Sequence, residues 1–275
     1  MPDDSNLTKA QRRDAARAEA LKLRQEQERR EKRNRFITIG VLVVLVVVVV
    51  LAVVFINQAS KPKSLADVKA PSTAESVDDG GGIPVDKDGV AGKTNPGAVT
   101  LDLYFDYMCP NCGTFEQVNK DDLDALREDG TITFVMHPVA ILNASSQGTN
   151  YSTRAGSAFA TVADQEPDKV IQFHEALYAN QPKEGSTGLT DAQLQDYAVQ
   201  AGVSQKVADQ FTKHTFGDWV DAWTDHAGSD KALFNSQGGF GTPTILINGK
   251  RWDGNWTEAG ALKSAIEAAK SGSTN

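Results

Sequence analysis

Apolar positions are spread unevenly along this chain. From 36 to 56, FITIGVLVVLVVVVVLAVVFI, 21 consecutive residues carry no charge. As a helix rising about 1.5 Å per residue, such a run is roughly 30 Å long, the thickness of a bilayer's hydrocarbon core. Valine is a mediocre helix former in water. In lipid the backbone must satisfy its own hydrogen bonds, so the helix forms anyway. The pattern predicts an uncleaved transmembrane helix over 36–56. A cleaved signal peptide fits less well: 35 residues precede the run, it exceeds a usual h-region, and no Ala-x-Ala site follows.

On either side the pattern is polar. Residues 8–33 are rich in Ala, Arg, Glu and Gln and read as a polar helix within a tail spanning 1–35. Residues 57–81 have almost no large apolar side chain and read as a flexible linker. A folded domain is expected over 82–275, opening with a short edge strand at Ile83–Val85, where Pro84 is tolerated.

Within that domain, AVTLDLYFD at 98–106 alternates as a strand, with Leu101, Leu103 and Phe105 on one face and Asp102 and Tyr104 on the other. By the same parity Asp106 falls with Asp102, if the strand stays regular. A helical pattern follows, with Phe115, Val118, Leu123 and Leu126 on one side, stopped by Gly130. TITFVMH at 131–137 is a second strand. A strand, a helix and a strand joined by short links make a parallel pair. Helices are expected near 151–164, 168–179, 190–201, 204–214 and 217–234. A hairpin with an Asn-Gly turn at 248–249 and a last helix at 257–270 complete the order βαβ, helices, ββα.

Charge adds direction. Net charge is −8, but residues 1–35 carry +4, so the remainder holds −12. That acidic remainder argues against nucleic acid as a partner. Arg29, Arg30, Lys32, Arg33 and Arg35 crowd the N-terminal flank of the apolar run, against Lys61 and Lys63 beyond it. The positive-inside rule then keeps the N-terminus in the cytoplasm and places 57–275 outside, in an oxidising compartment.

The candidate chemistry sits in YFDYMCPNCGTF, residues 104–115, which holds both cysteines of the chain, Cys109 and Cys112. A structural disulfide across four residues would constrain the unfolded chain little. A zinc site needs four ligands, and one C-x-x-C supplies two unless two chains share the ion. A redox pair explains more. Cys109 falls where a strand ends and a helix begins, so unpaired N–H groups and the helix dipole favour its thiolate. Cys112, one turn in, is placed to close the ring or attack a mixed disulfide. Pro110 in the first turn sacrifices no needed hydrogen bond. Downstream, Thr242-Pro243 heads an apolar strand. It reads either as a cis bond that turns the Thr242 backbone toward a neighbouring site or as an ordinary trans proline opening a strand.

D-Y-x-C-P-x-C at 106–112, G-x-G-T-P-T at 239–244 with the following strand and I-N-G, and the helices between them resemble the DsbA family. The resemblance covers about 82–271 and implies an α/β thioredoxin-like fold with an inserted α-helical domain at about 145–235. The single-span layout resembles membrane-tethered actinobacterial forms. The resemblance implies thiol–disulfide exchange with Cys109 as nucleophile, Cys112 as resolving thiol, and Pro110 and Asn111 tuning the potential. It implies a cis Pro243, with Thr242 in reach of substrate backbone. Exported proteins with free cysteines would be the substrates, and a quinone-linked membrane protein would reoxidise the pair. No cofactor is expected. The implied activity is a disulfide oxidase. The alternatives are a reductase or isomerase on the same fold, and a non-catalytic extracytoplasmic peptide-binding module. One position departs from the family: Leu103 stands where many members carry a buried acid, which leaves the proton acceptor for Cys112 open. His137 is a candidate to project toward the site.

Overall fold

The computed structural model describes residues 9–59, 64–76 and 80–272. It divides into two units, 1–61 and 62–275. In the first, a single helix α1 runs Lys9–Ala59, 51 residues, about 75 Å at the usual rise. The polar stretch and the apolar run are thus one continuous helix. Within its 17–51 portion lies a stretch long and apolar enough to cross a membrane.

The second unit is built on five strands: β1 Ile83–Val85, β2 Val99–Phe105, β3 Ile132–Pro138, β4 Thr244–Ile247 and β5 Lys250–Arg251, in sheet order β1-β3-β2-β4-β5. β2 and β3 are parallel, with Leu103 opposite Met136 and Tyr104 opposite His137. β4 runs antiparallel to β2, with Leu103 opposite Ile245 and Tyr104 opposite Thr244. β1 closes the edge beside β3, antiparallel. The helices are α2 Pro110–Glu128, α3 Tyr151–Gln165, α4 Val170–Ala179, α5 Asp191–Gln200, α6 Gln205–Ala208, α7 Gly217–Ser229 and α8 Ala261–Lys270. The helices α3 to α7 form an insertion between β3 and β4. This is the thioredoxin-like mixed sheet with inserted helices that the resemblance implied.

Both sheet faces are covered, so β2 and β3 are buried on both sides. On one face Leu101, Leu103, Phe105 and Met136 join Phe115 and Leu123 of α2 and Leu262 and Ile266 of α8 in the main core. On the other, Tyr104, Val139 and Leu246 pack with Trp223 and Ala227 of α7 in a second cluster. Burying a large apolar side chain is worth about 1.5–3 kcal/mol, so these two layers set which way each β2 side chain points.

Three local expectations change. The helix expected at 204–214 is shorter: α6 stops at Ala208 and a separate 3-10 turn spans Phe211–Lys213. The C-terminal helix starts at Ala261, after Gly260 in a left-handed conformation at φ 78°. The described part of the 57–81 stretch is not free. Leu65–Asp67 forms a 3-10 turn capped by Ser64. Leu65, Val68 and Ala74 pack against the main core, and the Ser72 N–H donates to Asp164 Oδ1 at 2.7 Å. A few well-placed apolar residues anchor a segment whose composition alone reads as linker.

Candidate functional site: a cysteine pair at a helix N-terminus

β2 delivers the chain to the end of the sheet, and α2 begins within five residues. Asp106 shapes that turn. β2 ends at Phe105, so strand parity no longer governs Asp106, and its carboxylate folds inward. Oδ1 accepts from the Met108 N–H (2.8 Å) and Ser152 Oγ–H (2.7 Å), and Oδ2 from the Leu142 N–H (2.9 Å). Burial pushes this carboxyl up, against the three donors that favour its anion.

Cys109 is the N-cap of α2 (φ −72°, ψ 116°), with Pro110 in the first helical turn. Its carbonyl accepts from the N–H groups of Cys112 (3.0 Å) and Gly113 (3.2 Å). The Cys109 thiol donates to the Thr242 carbonyl oxygen at 3.4 Å. The Thr242–Pro243 peptide bond is cis. Among the described residues the buried Thr242 Oγ1 has no normal hydrogen-bond partner, which leaves it to donate to the sulfur when Cys109 ionises. Its loop is fixed from below: Thr244 Oγ1–H donates to Gly241 O at 2.6 Å, and Arg251 Nη1 donates to Thr244 Oγ1 (2.8 Å) and Leu233 O (2.7 Å).

The two sulfurs differ electrostatically. A hydrogen bond from Cys112 holds the Cys109 thiol down to about 6; burial opposes this, and the Thr242 hydroxyl and the Cys112 and Asn111 N–H groups add to it. Burial pushes Cys112 well up, reinforced by the hydrogen bond and charge of Cys109. An ionised Cys109 beside a protonated Cys112 is therefore the favoured reduced state. Pro110 and Asn111 are exposed above the pair.

The structure thus brings Cys109, Pro110, Asn111, Cys112, Thr242 and Pro243 together. It does not bring His137. The parallel register puts His137 beside Tyr104, on the second sheet face. There its Nε2 lies 3.0 Å from Asp102 Oδ1, and its ring stacks on Tyr104 at 4.0 Å.

Sequence reasoning missed residues from the insertion. Tyr178 Oη–H donates to Asp106 O at 3.3 Å. Gln181 Nε2 donates to Tyr107 O (3.2 Å) and Cys109 O (2.8 Å). His174 is buried between Glu116 Oε1, 3.0 Å from Nε2, and Tyr107 Oη, 3.0 Å from Nδ1. With the Nε2–H on the carboxylate, Nδ1 accepts from Tyr107. A groove of about 600 Å³ between α2, α4 and α5 is lined by Gly113, Glu116 and Tyr178 and by neither cysteine. Gly113, a glycine inside a helical pattern, was the one sequence signal of a close approach here.

The family model Thioredoxin_4, described as thioredoxin, matches residues 86–268. The serine/threonine-protein kinase PknE of Mycobacterium tuberculosis is 29% identical over 171 residues, 61% of this chain, and the chain spans only 29% of that kinase's length. The reduced form of the disulfide bond oxidoreductase DsbG from Mycobacterium tuberculosis is 29% identical, with a TM-score of 0.56, over 67% of this chain and 85% of that one. Oxidised DsbA from the same organism is 27% identical, with a TM-score of 0.55, over 70% of this chain and all of that one (100%). A cysteine pair at a helix N-terminus, on a mixed sheet carrying a helical insertion, agrees with these matches: the chain belongs to the Thioredoxin_4 family and is a DsbA-like thiol–disulfide oxidoreductase.

Proposed function

We propose that the protein is a membrane-tethered, extracytoplasmic disulfide oxidase acting on exported proteins. The observation that carries the direction is the unequal pair: Cys109 held down to about 6, Cys112 pushed up. Stabilising the reduced form of a dithiol makes its disulfide the stronger oxidant. In the oxidised enzyme a substrate thiolate attacks Cys109 Sγ. The Cys109–Cys112 bond breaks, and Cys112 leaves as a thiolate that takes up a proton. The substrate's second thiolate then attacks its own sulfur in the mixed disulfide and expels the Cys109 thiolate. The substrate loses two electrons and the enzyme gains them.

Cys109 is the sulfur that exchanges with substrate and, once reduced, the nucleophile that begins reoxidation; Cys112 is its buried partner. Pro110 and Asn111, exposed between the sulfurs, set the potential. Thr242 and Pro243 receive the substrate's extended backbone beside Cys109. Residues 36–56 of α1 cross the membrane, with 1–35 cytoplasmic and the catalytic domain outside, as the flanking charges support. A quinone-linked membrane protein returns the pair to the disulfide.

Equilibration of the full-length protein with glutathione buffers tests the direction. A strongly oxidising Cys109–Cys112 couple is expected. A potential near that of reducing thioredoxins, about −270 mV, overturns the oxidase and favours a reductase. Cys109→Ser that still oxidises a reduced exported substrate overturns the role of Cys109. Peptide binding with no trapped mixed disulfide in Cys112→Ser favours a binding module.

A further inference from the structure

Three carbonyls of the redox turn are held by two side chains of the helical insertion. Tyr178 Oη–H donates to Asp106 O at 3.3 Å, and Gln181 Nε2 donates to Tyr107 O at 3.2 Å and to Cys109 O at 2.8 Å. Tyr178 lies in the last turn of α4, and Gln181 stands two residues past the helix end at Ala179. Gln181 is itself tied to that end, its N–H donating to Tyr178 O at 3.2 Å.

Gly113 shows the same contact from the other side. A Cβ built there would lie 2.2 Å from Gln181 Oε1. Glycine inside a helix costs roughly 1 kcal/mol against alanine. Its presence in the first turns of α2 makes room for the Gln181 amide to cross the helix and reach the Cys109 carbonyl.

That carbonyl matters to the sulfur. It already accepts from the Cys112 and Gly113 N–H groups, and its direction sets the ψ of Cys109 at 116°. This ψ aims the Asn111 and Cys112 N–H groups at Sγ, where both favour the thiolate. A carbonyl left free to turn would bring a partial negative charge nearer the anion.

We infer that Gln181 is a positioning residue for the redox pair: through the Tyr107 and Cys109 carbonyls it fixes the turn in which Cys109 ionises, so the inserted helices help set the reactivity of the thiol. The inference rests on the reading of Cys109 as the reactive thiolate.

The test uses the reduced full-length chain in detergent. The pH dependence of Cys109 alkylation by iodoacetamide is measured alongside thiolate absorbance, with circular dichroism as a check on folding. Gln181→Met keeps the length and removes both donors. It is expected to move the titration to higher pH and slow alkylation at pH 6 about threefold to tenfold, the range of one lost hydrogen bond. Gly113→Ala, which pushes the amide aside, is expected to shift it the same way, and the double variant to add little more. Gln181→Asn keeps the amide but falls one methylene short, and serves if Gln181→Met does not fold. A folded Gln181→Met or Gln181→Asn that titrates as the parent overturns the inference, whatever happens to its melting temperature. A parent protein whose Cys109 titrates near the ordinary thiol value overturns the underlying reading as well.

Discussion

Cys109 and Thr242 are 133 positions apart, yet the Cys109 sulfur lies 3.4 Å from the Thr242 carbonyl oxygen. Two stretches of sequence that share no local signal meet at one sulfur because β4 runs antiparallel beside β2.

The buried Thr242 hydroxyl favours the ionised sulfur. Thr242→Val keeps the shape and removes that donor. The Cys109 titration is expected to rise by about one unit, the effect of one hydrogen bond to a charged group. Thiolate absorbance against pH measures it, and an unshifted curve contradicts the assignment.

The unequal pair also gives the reduction potential a bend. Below the Cys109 value of about 6, both thiols are protonated and two protons accompany two electrons. Above it one does. The slope is expected to fall from about 59 to about 30 mV per pH unit near that point.

Stability of the reduced form follows with its sign. Cys109 ionises more readily folded than unfolded, where its value is near 9.0. Its contribution is present above the unfolded value and is lost as pH falls through about 6. Cys112 moves the opposite way, but its unfolded thiol ionises only near 9.0, so it acts above this window. Denaturant midpoints of the reduced protein should rise from pH 6 to pH 9, while the pair in the oxidised protein has no thiol to titrate.

Glu116→Ala removes the acceptor of the buried His174 Nε2–H. The cost is expected to be about 1–3 kcal/mol. Glu116→Gln retains an acceptor oxygen and should lose less. Urea unfolding of both variants decides.

A chain beginning at residue 62 should be more stable than one beginning at residue 82, because Leu65, Val68, Ala74 and the Ser72–Asp164 bond hold the intervening segment to the domain. The half-buried apolar groups and one hydrogen bond suggest about 2–3 kcal/mol. Equal midpoints would mean the anchoring contributes nothing.

The backbone of this site was legible in the sequence because each part carries a local signal. Alternation marks β2, the spacing of Cys109 and Cys112 marks a helix start, and Pro243 stands at the head of an apolar strand. The parallel pairing of the two strands was legible, but the register that places Tyr104 opposite His137 was not, and His137 faces Asp102 rather than the sulfurs. Asp106 defeated strand parity by lying one residue past the end of β2. Gln181, Tyr178 and His174 had no signal of their own. A glutamine after a helix looks like solvent-facing sequence until the fold carries it to a carbonyl 72 positions away.

The same antiparallel return of β4 has a consequence for biogenesis. A chain made from its N-terminus carries both cysteines long before residue 242 exists. Until the last eighth of the polypeptide arrives, Cys109 lacks the Thr242 neighbour that helps to acidify it and remains closer to an ordinary thiol. The full acidity of Cys109 is therefore reached late, when the domain is nearly whole.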